Sequence, residues 1–210
     1  MCGIAGIAGG ELAPTDRHEA VAGMCATMVH RGPDDAGLFD RAGAALGMRR
    51  LAIFDPANGH QPMATADGRF TVVFNGAIYN FRDLRTELEA RGHAFRTACD
   101  TEVLLAAWAQ WGEACLPRLR GMFAFAVWDA TEHTLFAARD ALGIKPLYYA
   151  RPRQGGVVFA SEVRALLASR LLPREIDAAS VGEFLAWFSV PAPRTLFAGV
   201  ANLPPGHWLR

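Results

Sequence analysis

Met1-Cys2-Gly3-Ile4-Ala5-Gly6-Ile7-Ala8 opens the chain. The stretch is small and apolar, broken by Gly3 and Gly6, and it suits a buried strand carrying Cys2 at its exposed tip. Removal of Met1 is expected, because the side chain that follows it is small. Cys2 would then carry both a thiol and a free α-amine, whose ordinary pKa values, about 8.5 and about 7.7–8.0, lie close together. The amine can take the thiol proton near neutral pH, so one residue holds a nucleophile and its base, the cysteine counterpart of an N-terminal threonine. Taken alone, a cysteine at position 2 is accidental; its weight comes from the rest of the chain.

Working outward, Pro14-Thr15-Asp16 offers a helix start, and Val21, Met24, Cys25 and Met28 have helical spacing, predicting a helix that ends near His30. Arg31-Gly32-Pro33-Asp34-Asp35 follows as a turn-rich loop. A strand over Ala45–Met48 runs into Arg49-Arg50-Leu51-Ala52-Ile53-Phe54, where Arg50 is either a solvated edge charge or an anchor for a carboxylate. Asn58-Gly59-His60-Gln61-Pro62 reads as another loop. Phe70-Thr71-Val72-Val73-Phe74 is strongly strand-like, and Asn75-Gly76 after it has two readings. It can be the type I′ turn of a hairpin, or the Asn amide and Gly N–H can together donate to a developing oxyanion. Asn80 with Asp83 resembles a capping box opening a helix through Leu84 and Leu88 to Gly92. Asp100 is placed to N-cap a helix carrying Val103, Leu104, Ala107, Trp108 and Trp111. Strands are predicted over 122–128, 134–139, 147–150 and 157–160, with helices over 161–169 and 178–188.

The 210 residues include 21 basic and 21 acidic side chains, 51% hydrophobic residues and 20% charged ones. That is the composition of a globular protein with a sizeable core. No basic stripe points to nucleic acid, and no apolar run reaches the roughly 18 residues a membrane helix needs. The start lacks the pattern of a signal peptide. Cys2, Cys25, Cys99 and Cys115 form no Cys-x-x-Cys pair, and no His stands at zinc-finger spacing, so no metal site is expected. The cysteines are expected to be reduced thiols in a cytoplasmic protein. From Pro191 the chain becomes Pro- and Gly-rich, a linker-like composition. It nevertheless carries Leu196, Phe197, Val200 and Trp208, and Phe197 and Trp208 are expected to form an exposed apolar patch.

Seven motifs occur in order: Met1-Cys2-Gly3-Ile4; His30-Arg31-Gly32-Pro33-Asp34; Arg50-Leu51-Ala52-Ile53; Asn75-Gly76 with Ile78-Tyr79-Asn80; Asp100 with Glu102; Gly121-Met122-Phe123-Ala124-Phe125; and Asp140 with Gly143-Ile144-Lys145-Pro146-Leu147-Tyr148-Tyr149. With them the chain resembles the class II glutamine amidotransferase domain of glutamine-dependent asparagine synthetases, down to Leu203-Pro204-Pro205-Gly206-His207. The resemblance implies an α+β fold, the N-terminal-nucleophile four-layer α/β/β/α sandwich with two mainly antiparallel sheets. Strand runs flanked by amphipathic helices independently read as mixed α and β with hairpins.

By the same resemblance, Cys2 attacks the carboxamide of L-glutamine, ammonia leaves, and water hydrolyses the thioester to glutamate. Asn75 and the Gly76 N–H would form the oxyanion hole, Arg50 would hold the α-carboxylate and Asp100 the α-ammonium. Leu51, Ile53 and Ala77 complete the implied substrate site. The family usually reads Asn-Gly-Glu where this chain has Asn75-Gly76-Ala77, so a carboxylate for the ammonium is missing. A glutaminase domain over residues 1–190 and a linker over 191–210, leading toward a synthetase domain, are the implied organisation. No cofactor is implied for the glutaminase domain; ATP and magnesium belong with the synthetase domain, since the chain lacks its Gly-rich pyrophosphate loop. L-Glutamine and the synthetase domain are the implied partners, and a homodimer is left open. Two other readings stand beside this one: a glutaminase serving a different activated carboxylate, and a weakly active glutamine-binding regulatory module favoured only by Ala77.

Overall fold

The computed structural model describes residues 1–53 and 55–210. Phe54, read above as the end of the apolar run after Arg50, lies outside the described residues. Two antiparallel sheets lie face to face. The first is built from β1 (Gly3–Ala8), β2 (Asp35–Arg41), β3 (Ala44–Arg50), β8 (Tyr148–Ala150), β9 (Val157–Ala160) and β10 (Val200–Asn202), in the order β10-β8-β9-β1-β3-β2. The second holds β4 (Met63–Ala64), β5 (Phe70–Ile78), β6 (Gly121–Asp129), β7 (Thr134–Arg139) and β11 (Trp208–Leu209), in the order β11-β7-β6-β5-β4. Helices α1 (Pro14–Ala26) and α4 (Val163–Ala168) cover the outside of the first sheet. Helices α2 (Phe81–Ala90) and α3 (Asp100–Trp111) cover the outside of the second, and α5 (Ala178–Trp187) follows α4.

Strand periodicity sorts the core into three interfaces. Along β6, Phe123, Phe125 and Val127 point to α2 and α3, where they meet Leu84, Leu88, Val103, Leu104 and Trp108. The alternate residues Ala124, Ala126 and Trp128 point inward and meet Ile4, Leu46 and Met48 of the facing sheet. The outer face of the first sheet, with Ala5, Ile7, Ala45 and Val158, packs on Val21, Met24 and Cys25 of α1 and Ala165 and Leu166 of α4. Strands buried on both faces read as continuous apolar runs, and each fully buried Leu, Ile or Phe contributes roughly 1.5–3 kcal/mol. The α/β/β/α order expected from the resemblance is the one the chain adopts.

β1 is central to its sheet, between β3 and β9, which explains its small side chains. A Cβ on Gly6 would lie 2.5 Å from the Phe159 ring on the neighbouring strand. Only glycine lets that ring fill the space between the sheets.

Several local expectations give way to long-range pairing. Asn75-Gly76 makes no hairpin: β5 runs through it to Ile78, because β6 pairs with the whole of Phe70–Ile78. Asn80 does not close a capping box; its Oδ1 accepts the Arg120 N–H (2.9 Å) and its Nδ2 donates to the Arg118 carbonyl (3.0 Å). α1 stops at Ala26 rather than near His30. β2 was not read from the sequence; its exposed, alternating side chains gave no apolar run.

The linker-like composition after Pro191 conceals two strands, β10 on β8 and β11 on β7. Phe197 packs on the outer-face cluster of the first sheet, and Trp208 stacks on Phe136 at 5.4 Å. Of the expected exposed pair, Phe197 is partly buried, while Trp208 keeps 48% of its surface exposed. The most exposed large apolar side chains in this part of the chain are Leu185 and Trp187 of α5, with Phe188 at its end.

Candidate active site

One cavity of about 390 Å³ opens at the end of the sandwich where β1 begins. Cys2, Arg50, Leu51, Ile53, Asn75, Gly76, Ala77 and Asp100 all line it. The eight residues come from four separated parts of the chain, and the fold brings every one of them to the same space.

Cys2 is fixed from both sides. The Leu51 N–H donates to its Sγ (3.4 Å), and the thiol points back to the Leu51 carbonyl (3.7 Å). Its own carbonyl accepts Arg31 Nε (2.8 Å), while Arg31 Nη1 binds Glu162 Oε1 (3.1 Å). Burial would raise the Glu162 pKa, but hydrogen bonds from His30, Arg31 and Arg164 hold it below the usual carboxylate value. An anion is thus kept behind the arginine that anchors Cys2. Burial pushes the Cys2 thiol up, against the lowering effects of the Leu51 N–H, the chain's amino terminus, Arg50 and Lys145. Burial thus favours the neutral thiol over the thiolate.

β5 contributes the hydrogen-bond donors, and strand register decides which ones. Phe123 sends its N–H to Asp140 Oδ2 (3.1 Å) and accepts the Asp140 N–H (2.8 Å), so it exchanges no bonds with Gly76 opposite it. By alternation, Phe74, Gly76 and Ile78 turn their N–H groups away from β6 toward the far edge. There β4 pairs only with Thr71 and Val72. Side chains answer the two outer donors: Gln61 Oε1 accepts from Phe74 (2.7 Å) and Asp100 Oδ2 from Ile78 (3.0 Å). The Gly76 N–H lies between them and faces the cavity. A Cβ on Gly76 would lie 2.3 Å from the Met122 carbonyl oxygen, so no larger residue fits this approach. On the inter-sheet side of the same strand, Asn75 is 1% exposed and its Nδ2 has no hydrogen-bond partner. A buried donor left unmade costs about 1–3 kcal/mol. Such an atom beside a cavity is placed to donate to an acceptor that enters it.

At the other end, Arg50 closes β3 and is buried. The carbonyls of Asp55 (2.9 Å) and Pro56 (3.0 Å) accept from its two terminal nitrogens and orient the guanidinium plane. Asp100 is the first residue of α3 and not its cap; Cys99 flanks the helix, and the Asp100 carboxylate turns to β5. Burial raises the Asp100 pKa above the ordinary carboxylate value, opposed by the backbone N–H groups of Ile78, Asp100 and Thr101 and by Arg50. Leu51 is half-buried beside Cys2, Ile53 is 68% exposed at the mouth, and Ala77 presents only a methyl group.

Other residues of the cavity wall escaped the sequence reading, among them Gln61, Thr101 and Lys145. Gln61 sat in a loop with no periodicity to single it out. Lys145 was visible inside the Gly143–Tyr149 motif, but nothing local showed that it lines the cavity with Cys2. Asp140 holds the backbone that carries it. Burial alone would raise the Asp140 pKa, yet the N–H groups of Lys145, Ile144, Phe123 and Leu142 bind its oxygens and hold it low. Arg139 closes the same loop, donating to the carbonyls of Lys145 (2.8 Å) and Gly143 (2.7 Å). Among the described residues, no group of three or more His, Cys, Asp or Glu side chains converges as metal ligands would.

A family model described as a glutamine amidotransferase domain matches residues 1–210. An asparagine synthetase (glutamine-hydrolyzing) 1 of Bacillus subtilis strain 168 is 43% identical over 98% of this chain and 33% of its own length. A second enzyme of that name and strain, numbered 3, is 39% identical over 100% of this chain and 34% of its own. The chain spans about a third of the length of these relatives. Among solved structures, a glutamine phosphoribosylpyrophosphate amidotransferase from B. subtilis, complexed with ADP and GMP, superposes with a TM-score of 0.64. At 24% identity over 84% of this chain and 45% of that one, it supports the fold alone. With a sandwich of this layer order and a match along its entire length, the chain belongs to the glutamine amidotransferase domain family.

Proposed function

We propose that this chain hydrolyses L-glutamine to glutamate and ammonia, with Cys2 as the nucleophile, and that the ammonia serves an ATP-dependent synthetase domain of the asparagine-synthetase type. The observation that carries the reading is one arrangement: a thiol, an unpartnered Asn75 Nδ2 and an outward Gly76 N–H share a cavity whose other end holds Arg50 and Asp100. A cation and an anion away from the thiol suit the α-carboxylate and α-ammonium of an amino acid. Its side-chain carboxamide then reaches Cys2.

Cleavage of the Met1–Cys2 bond frees the α-amine of Cys2, which accepts the thiol proton as Sγ bonds to the carboxamide carbon. The oxyanion is held by Asn75 Nδ2 and the Gly76 N–H. Collapse of the tetrahedral intermediate breaks the C–N bond; the ammonium of Cys2 returns its proton to the leaving nitrogen, and ammonia departs. Water, deprotonated by the same amine, attacks the thioester and releases glutamate and the thiol. Every group used is on the chain, the substrate or water. Ammonia release from glutamine by the purified 210-residue chain is the direct test; its absence in a preparation with Cys2 at the amino terminus rules the reading out.

Asp100 adds a pH dependence. Its raised pKa means that, as pH falls, the carboxylate protonates earlier than an ordinary aspartate and stops attracting the ammonium. KM for glutamine is expected to rise as pH falls through that raised value. In Asp100→Asn, KM should be high throughout and lose this dependence. A KM that stays flat on acidification would remove Asp100 from substrate recognition.

Ala77 sets a second expectation. A charge-assisted hydrogen bond is worth roughly 1.5–3 kcal/mol, so Ala77→Glu should lower KM about tenfold or more at nearly constant kcat. The ammonium keeps its charge between ground and transition states, which makes its binding uniform. Steady-state kinetics decide the matter, and a rise in kcat at unchanged KM would place position 77 at the reacting carbonyl instead.

A further inference from the structure

We propose that Gln61 is a positioning residue that holds the oxyanion end and the ammonium end of the cavity in fixed relation. The inference rests on the glutaminase reading and extends it to a side chain that touches no reacting atom. Gln61 is 4% exposed, and both ends of its amide are bonded. Oε1 accepts the Phe74 N–H (2.7 Å), and Nε2 donates to Thr101 Oγ1 (3.2 Å). Phe74 lies two residues before Gly76 on the same strand edge, and Thr101 adjoins Asp100 in the first turn of α3. Asp100 returns to the edge by accepting the Ile78 N–H. The bonds form a closed circuit, from Phe74 through Gln61, Thr101 and Asp100 to Ile78, with the Gly76 N–H in the gap it frames.

The register of β4 shows what Gln61 replaces. Met63 pairs with Val72 and Ala64 with Thr71, so further backbone pairing would set residue 61 opposite Phe74 and residue 59 opposite Gly76. A main-chain carbonyl would then take the Gly76 N–H and shut the site. Instead the Gln61 carbonyl is turned against Gly37, where an added Cβ would overlap it. Its side chain supplies the one ladder bond at Phe74. The edge is held straight and still left open one position further on. A side chain that ends the pairing but keeps the strand in place also determines where the Gly76 donor points.

Three variants test this with kcat and KM for ammonia release expressed per titrated reactive thiol, so that loss of folded protein does not count. Gln61→Met matches the side chain in length and makes neither bond; kcat is expected to fall about tenfold or more, with KM raised, because a displaced oxyanion donor forfeits part of its effect. Gln61→Glu keeps an acceptor for Phe74, and the Thr101 hydroxyl can donate to it; kcat should stay within about threefold of the parent. Thr101→Val cuts only the α3 side and should raise KM while sparing kcat. Should Gln61→Met fail to fold, the other two variants carry the test. A kcat for Gln61→Met within twofold of the parent overturns the proposal, as does a Gln61→Glu as impaired as Gln61→Met or a Thr101→Val that loses kcat alone. An inactive parent chain would instead count against the glutaminase reading beneath it.

Discussion

Cys2→Ala should bring ammonia release from glutamine down to background, while Cys25→Ala, Cys99→Ala and Cys115→Ala each retain most of it. The reason is position and protonation. Cys25 and Cys115 are buried in helix-facing cores, where burial pushes their thiols up to about 12, and neither reaches the cavity. Cys99 does line the cavity, but its sulfur is engaged by the Thr97 hydroxyl at 3.0 Å. Only Cys2 gains an α-amine on its own Cα when Met1 is removed. Burial raises the thiol, and in the proposed mechanism that amine is its base. A preparation retaining Met1 should therefore be nearly inactive despite an intact Cys2. Intact-mass measurement beside the assay, with peptide mapping after a diazo-ketone glutamine analogue, checks both statements. Labelling at Cys99, or full activity with Met1 in place, would defeat the assignment.

Asn75→Ala carries the second large effect, and its two consequences point in opposite directions. Loss of one oxyanion donor typically lowers kcat by about 10²–10³, or roughly 2.7–4 kcal/mol. The bond forms only as charge develops, so KM should move little. Stability should not fall in step. The Asn75 Nδ2 is buried without a partner, and such a group costs the folded state about 1–3 kcal/mol. The melting temperature of Asn75→Ala should accordingly hold or rise while activity collapses. Thermal unfolding and steady-state kinetics on the same sample provide the comparison. A variant that loses both in proportion would mean that Asn75 holds the strand rather than the oxyanion.

The exposed face of α5 has a different standing. Leu185, Trp187 and Phe188 are turned to solvent on a helix where only Ser180 is buried. They are more exposed than the residues singled out from the sequence, Phe197, which is partly buried, and Trp208, 48% exposed beside Phe136.

Much of the site was legible from sequence because its chemistry lies in residue types at element ends. A cysteine behind Met1, an arginine after an apolar run, Asn-Gly after a strand and an aspartate at a helix start each mark a terminus or a turn. Termini are where functional groups can face a cavity, and the ordered motifs tied those marks to one family. The α+β class was legible for the same reason, since period-2 and period-3.6 runs are local properties. Local rules also misled, at Asn75-Gly76 and at Asn80, wherever a strand or loop more than 35 residues away took the hydrogen bonds that the local motif claimed. Sequence alone singled out Cys2, Arg50 and Asp100 as candidates and, through the family resemblance, implied the layered α+β fold. Tertiary structure alone decided which backbone N–H is left open and that Gln61, Thr101 and Lys145 join the cavity wall. An open donor exists only where a neighbouring strand stops. β4 stops beside Val72 because the Gln61 carbonyl is turned to Gly37, a fact of packing between distant segments to which no window of sequence corresponds.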